Sequence, residues 1–236
     1  MKALIGGGQF SFQVVEDIIG RKEKIERVLR VVVLISLTEE GLSEVQLEQL
    51  REMIINQYGF EQLPLLRNLE KAGLVVSKER SKYPFNEISQ DFDILKENIQ
   101  LEPPSDIGFV HSGYAPISVR VVEAALRPGG FSSYFSSLKL FDGPTVATSQ
   151  QLNQKAQSSL SKRKDPTEVC LVVYLGGITY SEISALKFLS KTVPNKKIII
   201  ASTCVINGNN FIHSFNDSPL QETTDTYESD LEADEN

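Results

Sequence analysis

Tryptophan is absent from the 236 residues, and cysteine, histidine and methionine occur only twice each. Two cysteines cannot supply a disulfide framework, and Cys170 and Cys204 both sit inside apolar runs where a small hydrophobe would serve as well. With His111 and His213 they are the only soft metal ligands, and no pair shows C-x-x-C or H-x-x-x-H spacing, so no metal site is expected. The two histidines are about a hundred residues apart, and neither neighbours a G-x-S-x-G motif, which argues against a catalytic triad. Long hydrophobic runs are also missing. Runs such as Val31 to Ile35 with Leu37 are far short of the ~18 residues of a membrane span, and no charged segment followed by an apolar one opens the chain. The expectation is a soluble, non-secreted chain, in which Asn216-Asp217-Ser218, followed by Pro219, is no glycosylation site.

The charge is unevenly placed. Lys and Arg number 24 against 31 Asp and Glu, but Ser214 to Asn236 holds eight acidic residues and no Lys or Arg, leaving 24 basic against 23 acidic elsewhere. A nearly neutral body lacks the broad basic footprint of non-specific nucleic-acid binding. The tail, with Asp217, Glu222, Asp225, Glu228, Asp230, Glu232, Asp234 and Glu235 among Ser and Thr, is too polar and self-repelling to pack and reads as disordered. It serves solubility or, through Ser229 ahead of Glu232, takes a phosphate.

From Phe12 to about Lys96 the pattern is helical. Ile25, Val28, Leu29, Val32 and Ile35 recur at helix spacing; the β-branched run Val31 to Ile35 would also suit a strand, but the register extends from Lys22 to Leu37. Ser43 with Gln46 makes a capping box ahead of Leu47, Leu50, Ile54 and Tyr58, a stripe ending at Gly59. A further helix follows with Leu63, Leu66 and Leu69 buried, then Gly73 and a short strand Leu74-Val75-Val76. This outline is that of a winged helix, yet its recognition helix, Glu61 to Lys71, would offer only Arg67 and Lys71 beside Glu61 and Glu70, a poor phosphate reader. A helical packing or partner-docking module is the expectation, without nucleic acid.

After the breaker Glu102-Pro103-Pro104, Pro116 stands at a helix N1 position, and that helix closes at Arg127-Pro128-Gly129-Gly130. Thr145 to Lys164, rich in Gln, Ser and Lys, reads as a surface loop. Val169 to Leu175, a turn at Gly176-Gly177, a helix from Thr179 to Lys191 and Lys197 to Thr203 then make a βαβ unit, whose continuous apolar strands predict parallel neighbours buried on both faces. Two parallel strands do not stand alone. The Gly176-Gly177 turn could hold a phosphate on the helix that follows, but no P-loop or dinucleotide fingerprint is present. Thr179 and Glu182 form a capping box that uses the same amides.

The run Leu171-Val-Val-Tyr-Leu-Gly-Gly-Ile-Thr-Tyr-Ser-Glu-Ile-Ser-Ala-Leu with Lys197-Ile-Ile-Ile-Ala-Ser-Thr203 resembles the closing strand-helix-strand of the Sec/Munc (SM) family. Asn56-Gln-Tyr-Gly-Phe60, Leu69-Glu-Lys-Ala-Gly-Leu74 and Ser112-Gly-Tyr-Ala-Pro-Ile-Ser-Val-Arg120 resemble its vacuolar branch, that of vacuolar protein sorting-associated protein 33. The similarity runs from about Val14 to Phe211, most of the chain. It implies a non-catalytic adaptor, without cofactor or metal, in HOPS and CORVET tethering complexes that serve SNARE-mediated fusion at endosomes and the vacuole or lysosome, cytoplasmic and only peripherally on those membranes. It also implies that this is the C-terminal half of such a protein. The N-terminal half that helps cradle SNAREs is missing, so SNARE clasping by this chain alone is not expected. The opening Met1 to Gln9 has no counterpart in the family.

The resulting expectation is an α/β chain: a winged-helix-like helical module over 1–106, like part of the SM third domain, an incomplete Rossmann-like parallel sheet over 107–215, like the C-terminal part of the second, and a disordered acidic tail over 216–236. Its function is protein binding. The competing readings are a winged-helix regulator and a small Rossmann-like nucleotide-binding protein. The candidate partner surface is Arg51, Tyr58, Phe60 and Leu63: Phe60 projects from the corner after Gly59, Leu63 lies three residues on, and Arg51 lies about two turns before Tyr58. An apolar anchor beside an Arg is a common hot-spot composition. The resemblance implies a subunit like vacuolar protein sorting-associated protein 16 as its partner.

Overall fold

The computed structural model describes residues 8–82, 84–100, 102–127, 129–134, 137–141 and 168–216. The polar stretch 145–164, Gly6 and Gly7 of the opening, and the acidic tail beyond Asn216 lie outside the described residues. The described chain packs as two compact units, one from residues up to 36 with 41–80 and 209–216, the other from residues 37–40 and 81–208.

The first unit is helical. α1 (Gly8–Gly20) and α2 (Ile25–Thr38, whose last two residues belong to the second unit) precede α3 (Glu44–Tyr58), a 3₁₀ turn (Phe60–Gln62) and α4 (Leu63–Lys71). Val28, Leu29, Val32 and Ile35 are all buried along α2, so the periodic register, not the β-branching of Val31 to Val33, decides its state. The capping box at α3 is present: the Gln46 amide donates to Ser43 Oγ at 3.3 Å, and the Ser43 amide donates to Gln46 Oε1 at 2.9 Å. Two orphan donors of the first turn are thereby satisfied. α3 then buries Leu47, Leu50 and Ile54, and α4 buries Leu65, Leu66 and Leu69.

The expected strand Leu74 to Val76 does not form. Among the described residues only a single parallel bridge joins Leu42 to Ser77, through the Leu42 amide to Val76 O at 2.8 Å and the Lys78 amide to Leu42 O at 2.9 Å. The Val76 amide, which a second strand would need, is taken by the buried Ser36 hydroxyl at 3.1 Å. Gly41, at φ +108°, brings the chain so close that an added Cβ would lie 2.7 Å from the Lys78 nitrogen.

The second unit is mixed α/β. It holds α5 (Phe85–Asp91), a 3₁₀ turn (Ile107–His111), α6 (Ile117–Leu126), β1 (Glu168–Tyr174), α7 (Tyr180–Thr192) and β2 (Lys196–Ser202). The strands lie one residue from their expected limits and pair in parallel, in register from Glu168 opposite Lys196 to Tyr174 opposite Ser202. Pro116 proves to be the N-cap of α6 rather than its first helical residue, since its ψ of 134° is extended. Ile107, Ala115, Val119 and Leu126 pack with Ile178, Ala185, Leu186 and Leu189, and the strands add Cys170, Tyr174, Ile198 and Ile200 to this core.

Two sequence-based expectations change here. The strands are not buried on both faces: Val169, Leu171, Val173 and Ile199, the residues alternating with those in the core, are exposed, Leu171 by 61%. Side chains along a strand alternate between faces, and α6 and α7 share the core that takes the other set. The boundary between units lies at 80/81 rather than 106/107, because Ile88, Phe92 and Ile94 pack with Tyr114, Ile117 and Val121 of the second unit. Residues 209–216, including most of α8 (Gly208–His213), join the first unit, where Arg30 Nη1 donates to Asn209 Oδ1 at 3.1 Å and Asn68 Nδ2 to Phe215 O at 2.8 Å.

Candidate functional site

The corner between α3 and α4 is made by Gly59, whose φ of +93° and ψ of 167° turn the chain out of α3 and into the 3₁₀ turn. Phe60 follows at once and is 71% exposed. Leu63, the first residue of α4, is half-buried and lines an open groove of about 620 Å³ with Pro64, Leu66, Arg67, Asn68, Glu70, Lys71 and Arg51. Arg51 Nε and Nη2 both donate to Glu70 Oε1, at 3.2 and 2.8 Å. This pair ties α3 to α4 and also borders a smaller groove of about 260 Å³ lined by Glu44, Leu47, Glu48, Val75, Val76, Ser77 and Arg80. Arg51 and Glu70 are therefore the wall between two grooves.

Of the four expected residues, the structure brings Arg51 and Leu63 into one groove and leaves Phe60 exposed beside it. Tyr58 is placed differently. Its hydroxyl donates to Glu23 O at 2.5 Å, tying the end of α3 to the turn between α1 and α2. Burial, with Glu23 nearby, pushes its phenol above the usual value and keeps it a donor. Glu70, which neutralises Arg51, is the residue that sequence reasoning missed as part of this surface. It stands nineteen residues from Arg51, so no local spacing connects them.

Residues 4–214 match the Sec1 family, so residues 4–9 of the opening, expected to have no counterpart there, are part of the match. The chain belongs to the Sec1 family. It is 34% identical to the vacuolar protein-sorting-associated protein 33 homolog of Arabidopsis thaliana, over 86% of this chain and 36% of that protein. It is 34% identical to rat vacuolar protein sorting-associated protein 33A, over 87% of this chain and 34% of that protein. Against human vacuolar protein sorting-associated protein 33B the identity is 28%, over 82% of this chain and 36% of that protein. The chain thus spans about a third of the length of the curated relatives it matches. The resemblance read from the segments Asn56 to Phe60, Leu69 to Leu74 and Ser112 to Arg120 is borne out, and the similarity is to the vacuolar branch.

Each of those segments has a physical place in this Sec1-family chain. Asn56 to Phe60 ends α3 and makes the exposed corner, and Leu69 to Leu74 ends α4. Ser112 to Arg120 leads into α6 and delivers Arg120, a guanidinium only 4% exposed, to Asp106 at 2.8 Å, Glu123 at 2.9 Å and the Asp93 carbonyl at 3.0 Å. Asp106 also accepts from Lys96 at 2.8 Å and from the Gly108 amide at 2.7 Å, which caps the 3₁₀ turn. Burial alone would raise the Asp106 carboxyl, but these donors outweigh it and hold the pKa down at about 2.

The remaining chemical candidates are occupied by structural work. At the Gly176-Gly177 turn the Glu182 amide donates to Thr179 Oγ1 at 3.2 Å, the Thr179 amide donates to Glu182 Oε2 at 2.8 Å, and Ser118 Oγ donates to Glu182 Oε1 at 2.5 Å. The helix start is thus capped from within the chain. His111 Nε2 lies 3.1 Å from the Ser181 carbonyl and 3.0 Å from its hydroxyl, which pins the 3₁₀ turn to α7. His213 Nε2 lies 3.5 Å from Glu26, both of them in the first unit. Among the described residues no three His, Cys, Asp or Glu side chains converge on a metal-sized site, and no helix is long and apolar enough to cross a membrane.

Proposed function

We propose that this chain is a non-catalytic adaptor segment of the SM type, acting in vacuolar sorting as part of a HOPS- or CORVET-type tethering complex that serves SNARE-mediated fusion. In this reading it works at endosomal and vacuolar or lysosomal membranes, held there through the complex. The first unit docks a subunit like vacuolar protein sorting-associated protein 16 through the α3–α4 corner. The observation that carries this is Phe60: a phenylalanine 71% exposed, beside a groove in which Leu63 and Pro64 adjoin Arg51. Its ring gains most when a partner covers it, and aromatic anchors with Arg are the side chains that dominate interface energetics. Tyr58 is in this account a strut that sets the corner, not a contact.

The second unit contributes in a different way. Its strands are the edge of a larger, Rossmann-like parallel sheet, and the exposed row Val169, Leu171 and Val173 is covered by polypeptide corresponding to the part of the relatives that this chain does not span. A two-stranded sheet with one apolar face uncovered is not a stable endpoint in water. The first unit keeps winged-helix-like helices without using them on DNA, since α4 opposes Arg67 and Lys71 with Glu70.

The test is co-purification with a vacuolar protein sorting-associated protein 16 homologue. Phe60→Asp and Leu63→Lys are each expected to abolish capture while leaving the helical circular-dichroism signal and the melting temperature nearly unchanged. Capture at wild-type level by both variants would remove this surface from consideration, and loss of fold together with binding would make the two residues core.

A further inference from the structure

The smaller groove, on the other side of the Arg51–Glu70 wall from Leu63, has a chemistry that the docking corner does not use. Its volume of about 260 Å³ falls below the roughly 300 to 1,000 Å³ of small-molecule pockets, which leaves room for one long side chain. Leu47 and Val75, both buried, and the half-buried Val76 supply its apolar lining. Glu44 and Glu48 are four residues apart and therefore neighbours on one face of α3. Among the described residues neither carboxylate is met by a cation, whereas Arg51 and Glu70 already hold each other at 2.8 Å. Ser77 also lines the groove and is only 7% exposed. Its carbonyl accepts from the Arg80 amide at 3.0 Å, but its hydroxyl has no partner among the described residues. A hydroxyl so placed gains most from a ligand that completes its hydrogen bonding. We propose that this groove receives an arginine side chain from a partner polypeptide, with the stem on Leu47, Val75 and Val76 and the guanidinium between Glu44, Glu48 and the Ser77 hydroxyl oxygen.

The lining selects arginine over other occupants. No three His, Cys, Asp or Glu side chains among the described residues converge on a metal-sized site, so the two carboxylates are not a cage for a bare cation. Their apolar surroundings suit a long aliphatic stem that carries its charge at the tip. A guanidinium offers five N–H donors in a planar fork, enough for two carboxylates and a hydroxyl, where an ammonium offers three. Arg80 is exposed and lines the same groove without an ion pair among the described residues. It opposes two unpaired carboxylates with a single positive charge, so the groove still favours a cation, and its repulsion keeps the affinity modest.

This inference goes beyond the docking reading and does not depend on it. The probe is a blocked pentapeptide with arginine between alanines, titrated into the full isotope-labelled chain at low salt and followed by NMR. Amide shifts are expected at Glu44 to Glu48 and at Ser77, weakened by salt as exposed charge pairs are. The same peptide with citrulline, which keeps the shape and loses the charge, should bind about tenfold more weakly, as should the arginine peptide to the double variant Glu44→Gln, Glu48→Gln. Arg80→Ala should tighten binding several-fold. Ser77→Ala should weaken it without lowering the melting temperature, because no hydrogen bond within the chain is lost. Equal binding of the citrulline peptide, shifts centred elsewhere, or an unaffected double variant would overturn the inference. So would weaker binding in Arg80→Ala, which would assign the groove to an anionic group, or a lowered melting temperature in Ser77→Ala, which would mean that the hydroxyl already has its partner. Ethylguanidinium, the same cation without most of the stem, should bind more weakly than the peptide; equal affinity would make the groove a site for a small cation and not for a polypeptide. Failure to capture a vacuolar protein sorting-associated protein 16 homologue would count only against the docking corner.

Discussion

Replacing Arg120 with Met tests whether the second unit depends on one buried charge cluster. The guanidinium is 4% exposed and holds Asp106 and Glu123. Methionine matches much of its volume but leaves both carboxylates facing a space with no cation in it. Removing one partner of a buried pair typically costs about 3 to 5 kcal/mol, because the charge left behind keeps its desolvation penalty. Lys96, 2.8 Å from Asp106, and Arg127, 2.7 Å from Glu123, remain and moderate the loss. The lower end, about 3 kcal/mol, is therefore expected. Arg120 Nε is itself buried without a partner, so the wild-type cluster is not ideal and its removal does not exceed that range. Asp106 supplies a second readout. Its folded pKa of about 2 lies below its ordinary 3.8, so protonation is harder in the folded chain. Its contribution, about 2 kcal/mol, is complete above the unfolded value and disappears as the pH falls through about 2. In Arg120→Met the acid limb of the stability curve should move to higher pH. Urea denaturation between pH 2 and 7 measures both effects. A loss below about 1 kcal/mol, the centre of the range for point mutations in general, or identical acid limbs in the two proteins, would refute the reasoning.

Three further outcomes are expected. Gly41→Ala places a Cβ 2.7 Å from backbone at Lys78 in a conformation of φ +108°, and should destabilise the first unit by about 2 to 4 kcal/mol; a melting temperature within a degree of wild type would contradict it. Thr179→Ala removes the side-chain acceptor of the α7 capping box and should cost about 1 kcal/mol in chemical denaturation, with the full loss absent if the turn were instead held by an anion supplied from buffer. Leu171→Lys, on the open face of β1, should leave stability within about 0.5 kcal/mol while reducing self-association in light scattering. A large loss of stability there would mean that the face is already covered within this chain.

The interactions that the sequence determined by itself are those between near neighbours. Ser43 with Gln46 and Thr179 with Glu182 are three residues apart, and each pair makes its expected box because a single helical turn brings the groups together whatever surrounds them. The strands Glu168–Tyr174 and Lys196–Ser202 were legible because βαβ geometry follows from hydrophobic runs flanking a capped helix. Exposure of Phe60 was legible for the same local reason, since the turn at Gly59 leaves its side chain little to pack on. What tertiary structure alone decided is carried by groups distant in sequence. Which strand face stays open depends on α6 and α7 sharing one core, a choice that alternation permits but does not make. The end of the first unit at residue 80, rather than at the proline breaker, depends on Phe92 and its neighbours finding Tyr114 and Val121. Leu74 to Val76 lost its strand to a hydroxyl forty residues away. Arg51 became half of an ion pair through Glu70, and Arg120 is held inside by Asp106 and Glu123. Periodicity and capping report the free energy of one segment, whereas burial of a charge is settled only when its counter-charges arrive from elsewhere in the fold.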